Sequence, residues 1–177
     1  MSHPPKQNDV ILKVDPTRQK AVDLKATFAD LKLSPITLAA LDRLGFEHPT
    51  PIQEKTIPFL LEGKDVIGQA RTGTGKTASF GLPIIESYKP ELKHVQALIL
   101  APTRELALQI TEEMERYAYG RDFRCICIYG GTAYEGQEKA LKDGVHVVVG
   151  TPGRIMDLMQ RRSLDLSQTS LLVLDEA

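Results

Sequence analysis

The chain has 177 residues, which is long enough for one domain with a substantial hydrophobic core. With 42% hydrophobic and 25% charged residues it has the composition of a globular protein, and no apolar run approaches the roughly 20 residues that span a bilayer. The formal net charge is −1, so the overall charge does not indicate a polyanionic partner. Any contact with nucleic acid must therefore come from local backbone N–H groups and individual arginines.

Residues 1–26 are polar, contain three prolines and show little periodicity, which predicts a flexible N-terminal extension. They lack the apolar core of a signal peptide, which favours a cytoplasmic location and no membrane partner. Residues 27–177 form the predicted folded domain. Within it, Ser34-Pro35 and Thr50-Pro51 each place a capping hydroxyl before a proline and so predict helix starts, the first helix continuing until Gly45.

From residue 65 onward, strand-like and helical patterns alternate. Apolar strand-like runs occur at residues 65–68, 95–101, 124–129, 145–150 and 171–174. Helical patterns occur near residues 78–88, 105–119, 134–142 and 154–160. Continuous apolar strands separated by helices predict an α/β fold with a parallel sheet covered by helices on both faces. Ligands of such sheets bind at the carboxyl ends of the strands.

A glycine-rich stretch lies between the first of these strands and the helix that follows it. It reads Ala70-Arg71-Thr72-Gly73-Thr74-Gly75-Lys76-Thr77. In a strand–turn–helix context, successive backbone N–H groups meet phosphate oxygens at the positive end of the helix. Lys76 can reach the β- and γ-phosphates and the Thr77 hydroxyl can ligate Mg²⁺, so the stretch predicts a nucleoside triphosphate site. Ala70 departs from the general pattern, and the alternative is a turn that binds nothing.

The last predicted strand ends in an acidic pair, Asp175 and Glu176. In nucleotide hydrolases the first carboxylate of such a pair holds Mg²⁺, and the second can polarise the attacking water. Alone, the pair is a weak signal because many strands end in acidic turns. Together with a phosphate loop on an earlier strand of the same sheet, it predicts nucleotide hydrolysis.

Three further strand ends carry loops of a common chemical type. They are Pro102-Thr103-Arg104 at the start of segment 102–107, Gly130-Gly131, and Thr151-Pro152-Gly153-Arg154. Each offers backbone N–H groups, and two add a hydroxyl and an arginine, which suits contacts with phosphodiesters that do not read base sequence. The alternative is that Thr103 and Thr151 only cap helices; the two interpretations are compatible because a helix cap can also present N–H groups to a phosphate.

In this order and spacing, the motifs resemble the first core domain of the DEAD-box RNA helicases over roughly residues 27–177. The segment Gly45-Phe46-x-x-Pro49-Thr50-Pro51-Ile52-Gln53 matches the family as well, and Ala70 is the residue that the family has at its position. The resemblance implies a RecA-like first helicase lobe. It also implies ATP and Mg²⁺ as ligands, and local unwinding or remodelling of short RNA duplexes.

The resemblance also implies roles for individual residues. Gln53 would hydrogen-bond the adenine edge and Phe28 would stack on the ring, whereas without the resemblance they read as a helix-surface amide and a core aromatic. Lys76, Asp175 and Glu176 would be catalytic, and Thr77 and Asp175 would hold Mg²⁺. The RNA backbone would pass along the three strand-end loops, lined by Thr103, Arg104, Gly131, Thr151 and Arg154.

The sequence stops at Ala177, before the family's final aspartate, its next strand and its second helicase lobe. We therefore expect very slow hydrolysis by this chain alone. The resemblance places the next strand between the phosphate-loop strand and the Asp175 strand, so we expect two unpaired strand edges. A non-enzymatic nucleotide-binding fragment is the alternative function. A phosphate-loop kinase or transport ATPase is disfavoured by the Gln53 segment and the Thr-Pro-Gly-Arg loop.

Overall fold

The computed structural model describes residues 10–13, 26–70 and 73–176, and the chain divides into two compact units, Met1–Ser87 and Tyr88–Ala177. The first unit carries β1 (Val10–Lys13), a short 3-10 helix (Phe28–Leu31), α1 (Pro35–Arg43), α2 (Pro51–Leu61), β2 (Val66–Gln69) and α3 (Lys76–Ser87). The second carries β3 (Ala97–Leu100), α4 (Arg104–Tyr117), β4 (Cys125–Ile128), α5 (Tyr134–Asp143), β5 (Val147–Gly150), α6 (Pro152–Gln160) and β6 (Leu171–Leu174). Within the described part of the chain, every helix is too short or too polar to cross a membrane.

The two predicted helix starts in the first unit are confirmed. Ser34 and Thr50 are the N-caps of α1 and α2, and the proline after each is the first helical residue. A carboxylate from α3 completes the first of these starts: Glu86 Oε1 accepts hydrogen bonds from the Ser34 N–H at 3.3 Å and the Ser34 hydroxyl at 2.8 Å, and from the Thr37 hydroxyl. A negative charge at a helix N-terminus is stabilising, so Glu86 fastens α1 to α3.

Strand β1 lies inside the predicted flexible extension and was not expected. It pairs in parallel with β2, with Val10 opposite Val66 and Lys13 opposite Gln69. Its four residues, Val-Ile-Leu-Lys, include an apolar run that suits strand pairing, and they satisfy backbone groups along one edge of β2. Residues 1–9 and 14–25 lie outside the described residues, so the domain boundary at residue 26 stays a prediction.

Four of the five strands that the alternating pattern predicted form one parallel sheet in the second unit, whereas the first, β2, pairs with β1 in a separate two-stranded sheet. The strand order of the four-stranded sheet is β4-β5-β3-β6, and each neighbouring pair is parallel. At the carboxyl end, Leu100 of β3 lies opposite Gly150 of β5 and Leu174 of β6, and Gly150 also lies opposite Ile128 of β4. The four strands therefore end at one level, and the loops that follow them leave from a common edge.

Burial within this sheet differs between its centre and its β6 side. Strand β5 is buried along its whole length, and Ile99 of β3 is fully buried. In β6, by contrast, Leu172 and Leu174 are 61% and 58% exposed. Among the described residues, β6 has a ladder partner only in β3, which agrees with one of the two unpaired edges that the resemblance implied, whereas β2 pairs with β1 along one edge.

A histidine is buried at the amino end of β5. His146 is fully buried, its Nδ1 accepts a hydrogen bond from the Arg124 N–H at 3.0 Å, and its Nε2 donates to the Pro90 carbonyl at 3.2 Å. The rings of Tyr88 and Phe123 lie 5.2 and 6.1 Å from the imidazole centre. Both ring nitrogens are thus used by the neutral tautomer, and burial lowers the pKa of His146 below its ordinary value of 6.5.

This environment predicts that the free energy of unfolding falls as the pH drops below 6.5. Over that interval the unfolded chain takes up a proton at His146 that the folded chain resists, so acid favours unfolding. The variant His146→Asn keeps an amide oxygen near the Arg124 N–H and removes the titrating group. Urea unfolding between about pH 8 and pH 5 is expected to show a shallower pH dependence in this variant than in the wild type.

The assignment fails if His146→Asn and the wild type lose stability with the same slope.

Candidate functional site

The phosphate loop occupies the turn between β2 and α3. Gly73 and Gly75 both have φ of +80°, a left-handed conformation that glycine adopts at little cost. Lys76 and Thr77, both half-buried, are the first two residues of α3. Backbone N–H groups in a first helical turn lack intrahelical partners and carry the positive end of the helix dipole. The loop therefore has the local geometry of an anion site.

The remaining predicted loop residues fall partly within the described structure. Ala70 and Thr74 are half-buried, and Gly73 is exposed. Arg71 and Thr72 lie outside the described residues. The structure thus places six of the eight predicted positions, with both glycines in the left-handed region.

Gln53 joins α2 to the phosphate loop. Its side chain is only 1% exposed; Nε2 donates to the Gly75 carbonyl at 3.0 Å, and Oε1 accepts from the Thr50 N–H at 2.9 Å. The alternative interpretation of Gln53 as a helix-surface amide is therefore wrong, because the helix turns this side chain inward against the loop. Its contact with an adenine edge stays a prediction.

Phe28 lies in the 3-10 helix and is 4% exposed. Its ring packs against that of Phe46, with 5.9 Å between centroids and a tilt of 58°. The core-aromatic interpretation is confirmed by this burial. The stacking of Phe28 on a base stays a prediction.

In the second unit, the loop after β3 carries an exposed arginine held against a neighbouring loop. Thr103 is the N-cap of α4, and its hydroxyl accepts a hydrogen bond from the Leu106 N–H at 3.2 Å, which confirms the predicted cap. Arg104 is exposed, and its guanidinium carbon lies 4.4 Å from the centre of the Tyr129 ring. Pro102 is exposed beside them. The cation–π contact places the Arg104 charge over the residue that precedes the glycine pair.

The glycine pair after β4 offers bare backbone. Gly130 and Gly131 are both exposed, and no described atom lies within 4 Å of a Cβ built on either one. Gly131 has φ of +84°, so the turn uses a conformation that other residues adopt at a cost. A ligand can approach these peptide groups closely because no side chain stands in front of them.

The loop after β5 starts helix α6. The Thr151 N–H donates to the Ile128 carbonyl at 2.9 Å, and its hydroxyl does not cap α6 in the described structure. Pro152, the first helical residue, and Gly153 are exposed. The start of a helix in this loop was predicted. The hydrogen bond from the Thr151 N–H to the Ile128 carbonyl links the start of α6 to the end of β4.

Arg154 departs from the expectation of an exposed phosphate contact. It is only 9% exposed; its Nη1 donates to Gln137 Oε1 at 3.2 Å and its Nη2 to the Thr132 carbonyl at 3.0 Å. Its guanidinium carbon also lies 4.1 Å from the centre of the Tyr134 ring. The first turn of α6 directs this side chain toward α5 and the glycine turn, a tertiary packing outcome that the Thr-Pro-Gly-Arg pattern does not reveal.

Gln137, which is not among the predicted site residues, lies beside the glycine turn. Its side chain is 8% exposed and bonds to both Tyr129 and Thr132. A signal was present: Tyr134, Gln137 and Leu141 occupy one face of α5, so Gln137 is a polar residue in an apolar stripe. Buried polar groups need partners, and such a position predicts a specific hydrogen-bonding role.

The acidic pair follows β6 in the second unit. The Asp175 N–H donates to the Leu100 carbonyl at 3.0 Å, which extends the ladder between β6 and β3. Asp175 is half-buried, and Glu176 is exposed with φ of +53°. The described residues contain no group of three or more His, Cys, Asp or Glu side chains that could hold a metal ion. The predicted Mg²⁺ ligands are a Thr77 hydroxyl in the first unit and the Asp175 carboxylate in the second.

Comparison with known proteins gives a consistent result. A family model described as DEAD/DEAH box helicase matches residues 50–177. The DEAD-box ATP-dependent RNA helicase CshA of Streptococcus pneumoniae is 53% identical over 150 residues, which are 85% of this chain and 29% of that protein. The ATP-dependent RNA helicase DeaD of Escherichia coli K12 is 51% identical over 156 residues, which are 88% of this chain and 25% of that protein.

The fold has a counterpart among solved structures. The crystal structure of a DEAD box protein from the hyperthermophile Methanococcus jannaschii superposes with a TM-score of 0.81 at 44% sequence identity. The match covers 84% of this chain and 40% of that one. This chain spans 29% and 25% of the lengths of the two curated relatives, CshA and DeaD.

The two loop glycines predict different costs of substitution by alanine. Both variants place a side chain at φ of +80°, a strain of about 1–2 kcal/mol. At Gly75 the new Cβ also lies 2.3 Å from Gln53 Nε2, whereas no described atom lies within 4 Å of a Cβ on Gly73. Gly75→Ala is therefore expected to lower the free energy of unfolding by a further ~1–3 kcal/mol relative to Gly73→Ala, through loss of the Gln53 contact. Urea unfolding of the two variants measures the difference, and equal costs would contradict the described position of Gln53.

Proposed function

Because this chain belongs to the DEAD/DEAH box helicase family, we propose that it supplies the ATP-binding and RNA-backbone-binding motifs of an ATP-dependent RNA helicase. Such a helicase separates or remodels short RNA duplexes. The observation that carries the proposal is the phosphate loop, in which two left-handed glycines lead directly into Lys76 and Thr77 at the start of α3. The names of CshA and DeaD, which describe ATP-dependent RNA helicases, support the same assignment.

ATP binding is proposed for the first unit. The N–H groups at the start of α3 and the Lys76 ammonium bind the phosphates, and Gln53, buried against Gly75, contacts the adenine edge. Mg²⁺, when bound, would offset the negative charge of the phosphates. Thr77 would supply a hydroxyl oxygen and Asp175 a carboxylate oxygen, which are ligand types that Mg²⁺ prefers. Glu176 would orient the attacking water.

RNA binding is proposed for the common edge of the sheet in the second unit. The strand ends lie at one level, so the loops after β3, β4 and β5 are neighbours along that edge. Arg104 supplies an exposed positive charge, and Gly130 and Gly131 supply open backbone. Groups of this kind contact phosphates and sugars, so the proposed RNA binding is independent of base sequence.

We further propose that the helicase containing this domain unwinds duplexes, that it is cytoplasmic, and that these 177 residues alone hydrolyse ATP very weakly. The alternative, a fragment that binds nucleotide without hydrolysing it, predicts no RNA-stimulated release of phosphate from Mg-ATP by the purified chain.

Lys76→Ala is expected to weaken ATP affinity by about tenfold or more, because a charge-assisted contact with a phosphate contributes about 1.5–3 kcal/mol. Calorimetric titration with Mg-ATP measures the change. Lys64→Ala is the control, since Lys64 is an exposed lysine paired with Glu62 at 2.6 Å and lies outside the loop. Equal ATP affinity in Lys76→Ala and the wild type would refute the phosphate-loop assignment.

Arg104→Gln is expected to weaken binding of single-stranded RNA and to make it less salt-dependent. Each lost phosphate contact reduces the slope of log affinity against log salt by about 0.7 for a single strand. The effect is expected to be the same for RNAs of different sequence, because the contact is with the backbone. Arg116→Gln, an exposed arginine in the last turn of α4, is the control and should retain the wild-type slope. A wild-type slope in Arg104→Gln would exclude a phosphate contact.

A further inference from the structure

We propose that Arg154 and Gln137 are positioning residues that hold the glycine turn, residues 129–132, in the shape that presents its backbone to RNA. In this role neither side chain contacts the RNA. The inference rests on the proposed RNA-binding function and deepens it, because it assigns the residues that shape one of the binding loops. We refer to these two side chains as the Gln137–Arg154 bracket.

Gln137 holds both ends of the turn with a single amide. Its Nε2 donates to the Tyr129 carbonyl at 3.1 Å and to the Thr132 hydroxyl at 3.0 Å. The distance across the turn is therefore set by one nitrogen on a rigid helix. Because the side chain is only 8% exposed, water competes little for these bonds.

Arg154 completes the bracket from α6. One terminal nitrogen donates to the Thr132 carbonyl at 3.0 Å, and the other donates to Gln137 Oε1 at 3.2 Å, which fixes the orientation of the glutamine amide. The planar guanidinium reaches the two partners with two different nitrogens held in a fixed fork, a geometry that the single nitrogen of a lysine ammonium does not reproduce. The Tyr134 ring, 4.1 Å from the guanidinium carbon, supports it on one side.

The turn needs this support because of its own composition. Two consecutive glycines lose more backbone entropy on ordering than other residues do, and the hydrogen bond within the turn, from the Thr132 hydroxyl to the Tyr129 carbonyl, is long at 3.4 Å. The bracket bonds to the flanking residues and leaves Gly130 and Gly131 exposed. Ordering a loop before its ligand arrives reduces the entropy cost of binding.

The position of Arg154 also separates it from the exposed arginine of the same edge. Arg104 is exposed over Tyr129, whereas Arg154 is 9% exposed and both terminal nitrogens bond to protein acceptors. If Arg154 acts only by shaping the turn, its substitution should leave the salt dependence of RNA affinity unchanged. Substitution of a residue that neutralises a phosphate should reduce that dependence.

The first test compares affinity and salt slope for a single-stranded RNA. Arg154→Gln is expected to lower affinity severalfold while the slope of log affinity against log salt stays at the wild-type value. Arg154→Lys retains the charge but replaces the two-nitrogen fork with a single nitrogen, so it is expected to lose affinity to a similar extent. A slope reduced by about 0.7, or wild-type affinity in Arg154→Lys, would show a direct charge contact and overturn the inference.

Arg161→Gln is the matched control for these variants. Its guanidinium carbon lies 3.8 Å from the centre of the same Tyr134 ring, but the side chain is exposed and pairs with Asp157 rather than with the turn. It is expected to keep wild-type affinity. A loss equal to that of Arg154→Gln would attribute the effect to Tyr134 and overturn the role of the bracket.

The second test observes the turn without RNA. Amide hydrogen exchange at residues 130–132 is expected to accelerate in Arg154→Gln and in Gln137→Leu, which fills the buried position without a hydrogen-bonding group, while exchange in β5 is unchanged. Wild-type exchange at these residues in both variants would overturn the inference, even where the wild-type chain binds RNA as proposed. A wild-type chain that binds no RNA would overturn both the proposed function and the RNA role of the bracket, and exchange would then report on the turn alone.

Discussion

The register of the parallel sheet is the constraint on which the candidate RNA-binding edge depends. Leu100, Ile128, Gly150 and Leu174 stand at one level, so every loop that leaves the sheet starts from the same line. A slip of one residue would move a loop by about 3.3 Å and turn each strand's side chains to the opposite face. The pairing of the buried apolar strands, rather than the polar residues themselves, therefore determines which loops lie together at this edge.

Backbone contact at the end of β5 enforces this register. A Cβ on Gly150 would lie 2.5 Å from the Ile128 carbonyl oxygen and 2.8 Å from the Ile155 side chain. The same carbonyl accepts the Thr151 N–H at 2.9 Å, so β4, β5 and the start of α6 meet without an intervening side chain. The glycine allows this approach, and the bracket then links α6 to the turn after β4.

Local signals in the sequence were sufficient for most of the fold. The apolar runs after residue 65 gave every strand of the four-stranded sheet, and the Ser-Pro and Thr-Pro pairs gave the starts of α1 and α2. Strand β1 could not be predicted in this way, because its partner β2 is more than 50 residues away and its own run is short. Strand pairing of this kind is decided by long-range contacts and not by local propensity.

The parts of the candidate site that depend on backbone conformation could be predicted from the sequence. Whether a polar side chain of the site is exposed or buried could not be predicted reliably. The glycines of the phosphate loop and the cap at Thr103 follow from local geometry. The inward orientations of Gln53 and Arg154 depend on which acceptors the rest of the fold brings near, Gly75 in one case and Thr132 in the other. A motif specifies the type of a residue but not its partners.

The interlocking of Gln137 with Arg154 has a consequence for which substitutions this edge can tolerate. Arg154 donates to Gln137 Oε1, so an apolar substitution at one position removes a hydrogen-bond partner of a buried polar group at the other. Ala133, Glu135 and Gly136, just beyond the turn, are exposed, so their substitution does not leave a buried polar group without its partner. Substitutions at these three positions are therefore expected to disturb the glycine turn less than substitutions at Gln137 or Arg154.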